Sequence, residues 1–397
     1  MRAFRHVGLP IALSLTMLAA WAGGAKEPAG PWRFAVLADS RGDKEGSKYG
    51  VRTAILAPLA TQIATEGVDL VLFPGDEING SPDYGDIRTQ LTQWKYVMAP
   101  LLNRGIPIYV SRGNHEVLEN EISPTPGSAV ELANLAAWKA IFPNLPQNGP
   151  ASQLDATYFV DHRNARFVVF DQYLGRKSTY DSEQYDSKVS SGTVDPWVIT
   201  QIASAPQPWV FVAAHEPMFI IHHTDCMAND PVGRDQLLDA LGARAGGGVY
   251  FCGHDHGYWR AIVPDAAGHD VYQLVVGCAG APFYVADNVA RNADYDRKVV
   301  PQILFANGGL PPKAEPSHGK APEGAASGAD APGAAASNVV PNNRDLRPMW
   351  GYLLVTVYGQ TATAEWKALT NADPSTFTVN GKPVFKTYDT FVMHSSR

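Results

Sequence analysis

The chain has 397 residues, of which 45% are hydrophobic and 18% are charged. Its 32 Lys and Arg against 39 Asp and Glu give a formal net charge of −7, which argues against nucleic acid as a structural partner. The three cysteines are too few for a disulfide scaffold or a thiolate zinc site.

Residues 1–25 have the pattern of an export signal. Arg2 and Arg5 precede an apolar run that ends at Ala20, and residues 20–22 match the small-x-small pattern of a cleavage site. The run is shorter than the ~20 residues of a membrane-spanning helix, although an uncleaved anchor is the alternative. We therefore expect a secreted or periplasmic protein with no stable membrane span after cleavage.

Five short apolar runs of strand-like composition each end in a polar cluster. Segments of helical periodicity separate several of them, at 51–66, 87–102, 129–142 and 230–241. This alternation predicts an α/β fold with a largely parallel central sheet. The clusters, in chain order, are Asp39-Ser40-Arg41, Gly75-Asp76-Glu77-Ile78-Asn79, Gly113-Asn114-His115-Glu116, His215-Glu216-Pro217 and Gly253-His254-Asp255-His256.

These clusters predict a metal site, because loops beyond the carboxyl ends of parallel strands converge on one crevice. Taken singly, each polar residue could cap a helix or occupy a turn, but five clusters of Asp, Asn and His favour metal ligation. Oxygen and imidazole ligands without thiolate suit Zn, Fe or Mn, and their number fits two ions that share one carboxylate. The candidate ligands are Asp39, Asp76, Asn114, His215, His254 and His256.

The C-terminal third contains a low-complexity segment followed by a hairpin pattern. Residues at about 307–345 are dominated by Gly, Pro, Ala and Ser, a composition that predicts a disordered insert. Residues 351–358 and 361–369 predict a β-hairpin that completes the sheet of the main domain. We expect residues 26–397 to form one domain interrupted by this insert.

The cysteines leave one question open. Cys252 ends an apolar run and is expected to be buried in a strand. Cys226 and Cys278 could form a disulfide in an oxidising compartment or remain two separate buried thiols. The oligomeric state is equally open.

As a set, the five clusters resemble the calcineurin-like metallophosphoesterase superfamily, including its purple acid phosphatase branch. The family pattern is D-x-H, G-D-x-x-D/N, G-N-H-E/D, a lone H at a strand end, and G-H-x-H. The resemblance implies a four-layer αββα sandwich and two divalent ions. It also implies these roles: Asp76 bridges the ions, Asn114, His215 and His254 complete one site, Asp39 and His256 serve the other, and His115 acts on the leaving-group oxygen with Glu116 orienting it.

Arg41 departs from this pattern, because it stands where D-x-H has a ligating histidine. A guanidinium has only donors and a permanent charge, so we expect the first ion to bind weakly with extra water. The alternatives are that Arg41 contacts the substrate phosphate, replaces the charge of that ion, or points away and pairs with Asp43 or another acid. Asn79 is a candidate ligand through its side-chain carbonyl, at the position where purple acid phosphatases place a tyrosine.

The sequence thus predicts an exported metal-dependent phosphoesterase that hydrolyses small phosphate mono- or diesters by attack of a metal-bound hydroxide. The alternative is a catalytically impaired phosphate- or nucleotide-binding protein on the same scaffold. His115 argues against this alternative, because a binding protein does not need a leaving-group acid.

Overall fold

The computed structural model describes residues 30–42, 50–80, 87–117, 129–173, 194–219, 227, 230–283, 303–307 and 349–396. The predicted export signal, Asp43, Cys226 and residues 308–345 of the predicted insert lie outside the described residues. The expectations that concern them stay predictions. None of the described helices is long and apolar enough to cross a membrane.

The first of two large sheets has six strands. They are β1 (Trp32–Val36), β2 (Leu70–Pro74), β3 (Ile108–Ser111), β11 (Gly351–Tyr358), β12 (Thr361–Leu369) and β15 (Phe385–His394). Their order is β15-β12-β11-β1-β2-β3, with β1, β2 and β3 parallel and the others antiparallel. The predicted hairpin is therefore confirmed as β11 and β12, and β11 extends the sheet by pairing with β1.

The second sheet has seven strands. They are β4 (Tyr158–His162), β5 (Ala165–Val169), β6 (Trp209–Ala213), β7 (Gly248–Cys252), β8 (Tyr258–Pro264), β9 (Asp270–Val276) and β10 (Ile303–Asn307). Their order is β10-β8-β9-β7-β6-β5-β4, and β5, β6, β7 and β9 run parallel. A small ribbon of β13 (Ala372–Asp373) and β14 (Thr378–Val379) stands apart.

Helices cover the outer face of each sheet. Helix α1 packs with the first sheet through Ile55, Leu56 and Leu59, whereas α6 and α7 pack on the second sheet. The helices are α1 (Thr53–Ile63), α2 (Ile87–Val97), α3 (Ala99–Leu102), α4 (Asn114–Val117), α5 (Ala129–Ile141), α6 (Pro196–Ser204) and α7 (Pro231–Gly242). The predicted four-layer αββα sandwich is thus confirmed, and so are the four predicted helical segments, the second of which divides into α2 and α3.

The two sheets pack face to face through aromatic side chains. Phe34 of the first sheet lies 5.1 Å from Phe167 and 4.8 Å from Phe211 of the second, between ring centroids. All three are fully buried, and each contributes about 1.5–3 kcal/mol through removal from water. This shared core fixes the two sheets relative to each other, and with them the loops at their ends.

The alternation of apolar runs and helical segments predicted one largely parallel central sheet. The number of sheets was wrong, because the structure has two large sheets. The five strands that end in polar clusters are divided between the sheets: β1, β2 and β3 lie in the first, and β6 and β7 in the second. Strands buried on both faces are apolar throughout in either arrangement, so the pattern carries no information on which sheet a strand joins.

Buried polar contacts tie the sheets together close to these strand ends. Arg112 follows β3 directly and forms an ion pair with Asp171, just beyond β5, with both side chains fully buried. The Tyr158 hydroxyl donates to the Val110 carbonyl at 2.8 Å. These contacts place the loop that begins at Gly113 opposite the end of the second sheet.

The structure describes two of the three cysteines, Cys252 and Cys278. Cys252 is buried at the end of β7, as expected, and carries a free thiol. Cys278 is also buried, and burial raises the pKa of its thiol to about 12. The Cys278 thiol is free, which agrees with the alternative of separate buried thiols, and Cys226 itself lies outside the described residues.

Candidate metal centre

The candidate ligands lie on loops held in an uncommon backbone conformation. Asp39, Asp76 and His254 follow β1, β2 and β7 with φ angles of 62°, 54° and 68°. Positive φ is rare outside glycine and costs roughly 1–3 kcal/mol per residue, so it persists only where the surroundings enforce it. Three such residues, each just after a strand, indicate a site at which the surrounding structure holds the side chains in place despite backbone strain.

His215 is oriented by the backbone on one side and faces two oxygens on the other. Its Nδ1 lies 2.9 Å from the Pro74 carbonyl, which can only accept, so Nδ1 carries the proton. Its Nε2 then presents a lone pair at 3.0 Å from Asn114 Oδ1 and 3.3 Å from Asp76 Oδ1. Three electron-rich atoms converging without a proton between them are what a cation requires.

His256 is held in the same way. Its Nδ1 lies 2.6 Å from the Pro282 carbonyl, and its Nε2 lies 3.5 Å from Asp39 Oδ1. The Asp39 carboxylate accepts from the His254 backbone N–H at 3.2 and 3.0 Å. The contact with His254 joins the loop after β1, in the first sheet, to the loop after β7, in the second.

The hydrogen bonds of the two aspartates argue against the explanation that these residues cap the helices after them. Asp76 Oδ1 accepts from the backbone N–H of His115 at 3.2 Å, and Asp39 accepts from His254. The N-cap position of α1 is occupied by Arg52, which makes no side-chain cap. Both carboxylates instead face the centre of the site.

Arg41 points into the site. Its Nε lies 3.2 Å from Asp76 Oδ2, and its side chain is 17% exposed. Of the alternatives drawn from the sequence, the one in which Arg41 turns away from the ligands does not describe the structure. The guanidinium lies directly against the carboxylate that the family pattern assigns to both ions.

His115 lies at the edge of the site with a fixed ring. Its Nδ1 is 2.5 Å from the Asn79 carbonyl oxygen, so Nδ1–H donates and Nε2 faces Asp76 Oδ2 at 4.0 Å. Burial lowers the pKa of His115 to about 4, and the positive charge of Arg41 adds to the effect. The contact with Asn79 uses a backbone oxygen, so it does not bear on the predicted ligation by the Asn79 side chain.

Glu116 holds the loops instead of the ring of His115. Its Oε2 accepts from the backbone N–H groups of Gly113 and Asp76 at 2.7 and 3.1 Å, and its Oε1 from that of Ile78 at 3.1 Å. One buried carboxylate therefore joins the loops that carry Asp76 and Asn114. The predicted orienting contact is made by Asn79, and catalytic participation of Glu116 stays a prediction.

Glu77 is a buried acid that the sequence argument did not select. Burial raises its pKa well above the usual value, and the adjacent Glu116 raises it further. Burial also raises the pKa of Glu116, to about 8, although the N–H groups of Gly113 and Ile78 oppose the increase. Its only sequence signal was its place beside Asp76, and no pattern shows that an acidic side chain turns inward. Arg112 was missed for the same reason.

The two aspartates have opposite electrostatic surroundings. Burial would raise the pKa of Asp76, but His215, His115 and Arg41 outweigh it and lower the pKa to about 2. Burial raises the pKa of Asp39 well above its usual value, and the nearby charge of Asp76 adds to this. A cation between the two carboxylates would relieve their repulsion.

The donor set fits a divalent ion. Asp39, Asp76 and His215 offer ligand atoms that all lie within 4.8 Å of one another, and Asn114 adds an amide oxygen. For bonds of ~2.1 Å, neighbouring donors around an ion stand roughly 3.0–3.4 Å apart, which matches the contacts of His215. Oxygen and imidazole donors suit Mn, Fe or Zn. His254 and His256 lie outside the three-residue cluster, although both border it.

Comparison with known proteins agrees with this fold. A model of the calcineurin-like phosphoesterase family matches residues 33–258. The tartrate-resistant acid phosphatase type 5 of Rattus norvegicus is 28% identical over 242 residues, which cover 58% of this chain and 68% of that protein. The Homo sapiens protein of the same name is 27% identical over 230 residues, covering 56% and 66%.

Two solved structures share the fold across most of the chain. The structure of PhoD has a TM-score of 0.55 at 16% identity and covers 92% of this chain and 72% of its own. The purple acid phosphatase PPD1 from yellow lupin seeds has a TM-score of 0.55 at 14% identity, covering 92% and 54%. At these identities the likeness concerns the fold alone.

A four-layer sandwich with Asp, Asn and His at its strand ends defines a metallophosphoesterase-type protein. The family model spans more than half of the sequence, so the chain belongs to the calcineurin-like phosphoesterase family. With acid phosphatases among its relatives, it is a hydrolase of phosphate esters. Divalent metals are implied by these relatives, and the role of each site residue stays a prediction.

Proposed function

We propose that the protein is an exported, metal-dependent phosphoesterase that acts on small phosphate monoesters or diesters. The observation that carries the proposal is the approach of two oxygens to His215 Nε2: Asn114 Oδ1 lies at 3.0 Å and Asp76 Oδ1 at 3.3 Å. Export is supported by the signal-like pattern of residues 1–25.

The described side chains divide the work of hydrolysis. Asp76, His215, Asn114 and Asp39 would hold a divalent ion, which supplies charge to the phosphoryl oxygens and acidifies water. Arg41 lies against the other oxygen of the same carboxylate and would add a permanent positive charge beside a bound phosphate.

His115 is positioned to serve the leaving group. Its ring is fixed through Nδ1 to the Asn79 carbonyl, so Nε2 faces the site. In the imidazolium form, which the lowered pKa of His115 confines to acid solution, Nε2–H would give its proton to the departing oxygen. The buried carboxylate of Glu116 keeps both ligand loops in place through the backbone.

The proposal is tested with p-nitrophenyl phosphate and bis-p-nitrophenyl phosphate, measured with added Mn²⁺ and after chelation. We expect turnover of at least one ester that requires metal, and a loss of roughly 100- to 10,000-fold in kcat for His115→Ala with unchanged metal content. His269→Ala is the matched control, because this half-exposed histidine contacts Asp265 and no candidate ligand.

The alternative is a phosphate-binding protein without turnover. Binding of phosphate by both the wild type and His115→Ala, with no hydrolysis at any metal concentration, would establish the alternative. Export is tested separately, by the mass of the N-terminal peptide of the protein recovered outside the cytoplasm. A mature start near residue 23 or 26 is expected, and an intact residue 1 contradicts it.

A further inference from the structure

The two carboxylate oxygens of Asp76 face different partners. Oδ1 lies 3.3 Å from His215 Nε2 and accepts from the His115 backbone N–H. Oδ2 lies 3.2 Å from Arg41 Nε. A carboxylate that bridges two ions gives one oxygen to each, so the oxygen that a second ion needs is the one that Arg41 contacts.

The acidic and imidazole donors gather around one position. Among the residues that the structure describes, one group of three or more such side chains has ligand atoms within 4.8 Å of one another, and it consists of Asp39, Asp76 and His215. Donors on opposite sides of an ion with ~2.1 Å bonds stand about 4.2 Å apart, so this spread is close to that of one coordination sphere. His256 contacts Asp39 at 3.5 Å but does not join the group, although the family pattern assigns both to a second ion.

The charge at the site also favours a single ion. Arg41 cannot ligate a metal, because a guanidinium has no lone pair available, and it cannot lose its proton to make room for one. Two carboxylates and one guanidinium carry one net negative charge, which a single divalent ion already exceeds. A second ion would be repelled by both the first ion and Arg41.

We propose that the protein holds one divalent ion per chain, between Asp39, Asp76 and His215, and that the guanidinium of Arg41 takes the place of a second ion. Arg41 then supplies a permanent positive charge on the side of Asp76 opposite His215. The use of this charge toward a phosphate ester rests on the proposed function, whereas the number of ions does not.

The experiment counts ions directly. Metal-free protein is equilibrated with Mn²⁺ by dialysis, bound metal is measured by mass spectrometry, and electron paramagnetic resonance distinguishes isolated from spin-coupled Mn²⁺. The wild type is expected to hold one tight equivalent with the spectrum of an isolated ion. Arg41→His, which restores a ligand type at this position, is expected to tighten a second equivalent at least tenfold and to give a coupled spectrum.

Two further variants isolate the cause. Arg41→Lys keeps the charge and is expected to stay at one equivalent. Arg104→His makes the same substitution at an exposed arginine that donates to the backbone carbonyl of Ala64, and it is expected to leave the count unchanged. Gain of a second ion in this control would show that an added histidine alone is sufficient, and would overturn the role of Arg41.

The outcomes separate this inference from the proposed function. Two tight, coupled equivalents in the wild type overturn the inference even if the protein hydrolyses esters. A single isolated equivalent supports it even if no ester is hydrolysed. A second ion that is absent from correctly folded Arg41→His would show that Arg41 is not what excludes it.

Discussion

The two halves of the candidate site are built alike and differ in one decisive side chain. In the His215 half, formed by Asp76, Asn114 and His215, the donors converge at 3.0 and 3.3 Å. In the Arg41 half, formed by Asp39, Arg41 and His256, a guanidinium lies where the family pattern has a ligand. The strand ends and strained backbones are shared, so the fold places the loops and the residue type decides whether an ion can bind.

A glycine crowded against an aspartate occurs in each half. A Cβ added to Gly113 would lie closer than 3.0 Å to Asp76 Oδ1 and to its backbone nitrogen. A Cβ on Gly253 would come equally close to Asp39 Oδ2 and to the side chain of Ala38. The close approach of backbone to carboxylate is therefore common to both halves, which differ in their third side chain, Asn114 in one and Arg41 in the other.

The largest expected effect comes from removing the histidine of one half and comparing it with the other. His215→Ala should abolish tight Mn²⁺ binding and reduce kcat/KM by more than ~100-fold. Loss of a residue that only supports a metal ligand costs up to ~100-fold, and loss of a ligand should cost more. His256→Ala should retain one equivalent at weaker affinity. Equilibrium dialysis and ester hydrolysis measure both, and equal losses in the two variants would contradict the division of the site.

Substituting Gly113 and Gly253 compares how strongly each half of the site contributes to Mn²⁺ binding. Gly113→Ala should weaken Mn²⁺ binding about 10- to 100-fold, because it displaces Asp76 and the loop beside Asn114. Gly253→Ala should weaken it less, because it displaces Asp39 alone. Gly268→Ala is the control: its φ of 84° makes the substitution strained, but nothing lies within 4 Å of the added atom. Calorimetric titration with Mn²⁺ ranks the three, and a control as impaired as Gly113→Ala would refute the explanation.

Removing the buried carboxylate that supports the His215 half should lower stability. Glu116→Ala leaves the N–H groups of Gly113, Asp76 and Ile78 without their acceptor, and we expect the free energy of unfolding to fall by about 3 kcal/mol. Urea unfolding at pH 7 checks this, with Glu365→Ala in β12 as the control. If both variants unfold at the wild-type urea concentration, Glu116 does not hold the loops.

The smallest effect is expected away from both halves, at the contact between α1 and the first sheet. Glu66 accepts from Tyr352 at 2.6 Å and from Lys367 at 2.9 Å. Burial would raise the pKa of Glu66, but these hydrogen bonds outweigh it and lower the pKa below its ordinary value of 4.5. Glu66→Gln should cost about 1–2 kcal/mol at pH 7 without changing the metal content.

The pH dependence of that difference has a definite sign. A carboxyl whose folded pKa is lowered stabilises the protein fully above its unfolded value and loses this contribution as pH falls through the folded value. The gap between wild type and Glu66→Gln should therefore be constant above about pH 5 and shrink below 4.5. Asp270→Asn, at an exposed position, serves as the control, and a gap that widens in acid would contradict the assignment.

Much of the fold was accessible from the sequence, because apolar runs that end abruptly and helices of regular periodicity leave local signals. The five strands that end in polar clusters, β1, β2, β3, β6 and β7, were predicted, and so were the β11–β12 hairpin and four helical segments. Strands such as β4, β5 and β9 were not selected, because no polar cluster drew attention to them. The division into two sheets came from the family resemblance, since burial on both faces gives strands of either sheet the same composition.

The site was predictable as a list of residue types but not as a set of contacts. Asp39, Asp76 and His215 were candidates from their place after strands, and the structure brings them together. That Glu116 accepts backbone N–H groups, that Glu77 is buried beside it, and that Arg41 faces Asp76 all depend on long-range packing. Local sequence carries no record of these distances, which is why the number of ions could not be decided from the motif.

The central claim is that phosphate-ester hydrolysis depends on one divalent ion held between Asp39, Asp76 and His215. It is tested most directly by adding Mn²⁺ stepwise to metal-free protein and following hydrolysis of bis-p-nitrophenyl phosphate or p-nitrophenyl phosphate at each step. The account predicts that the rate rises linearly and reaches its plateau at one equivalent per chain. A plateau reached only at two equivalents, or no hydrolysis at any Mn²⁺ concentration, would contradict it.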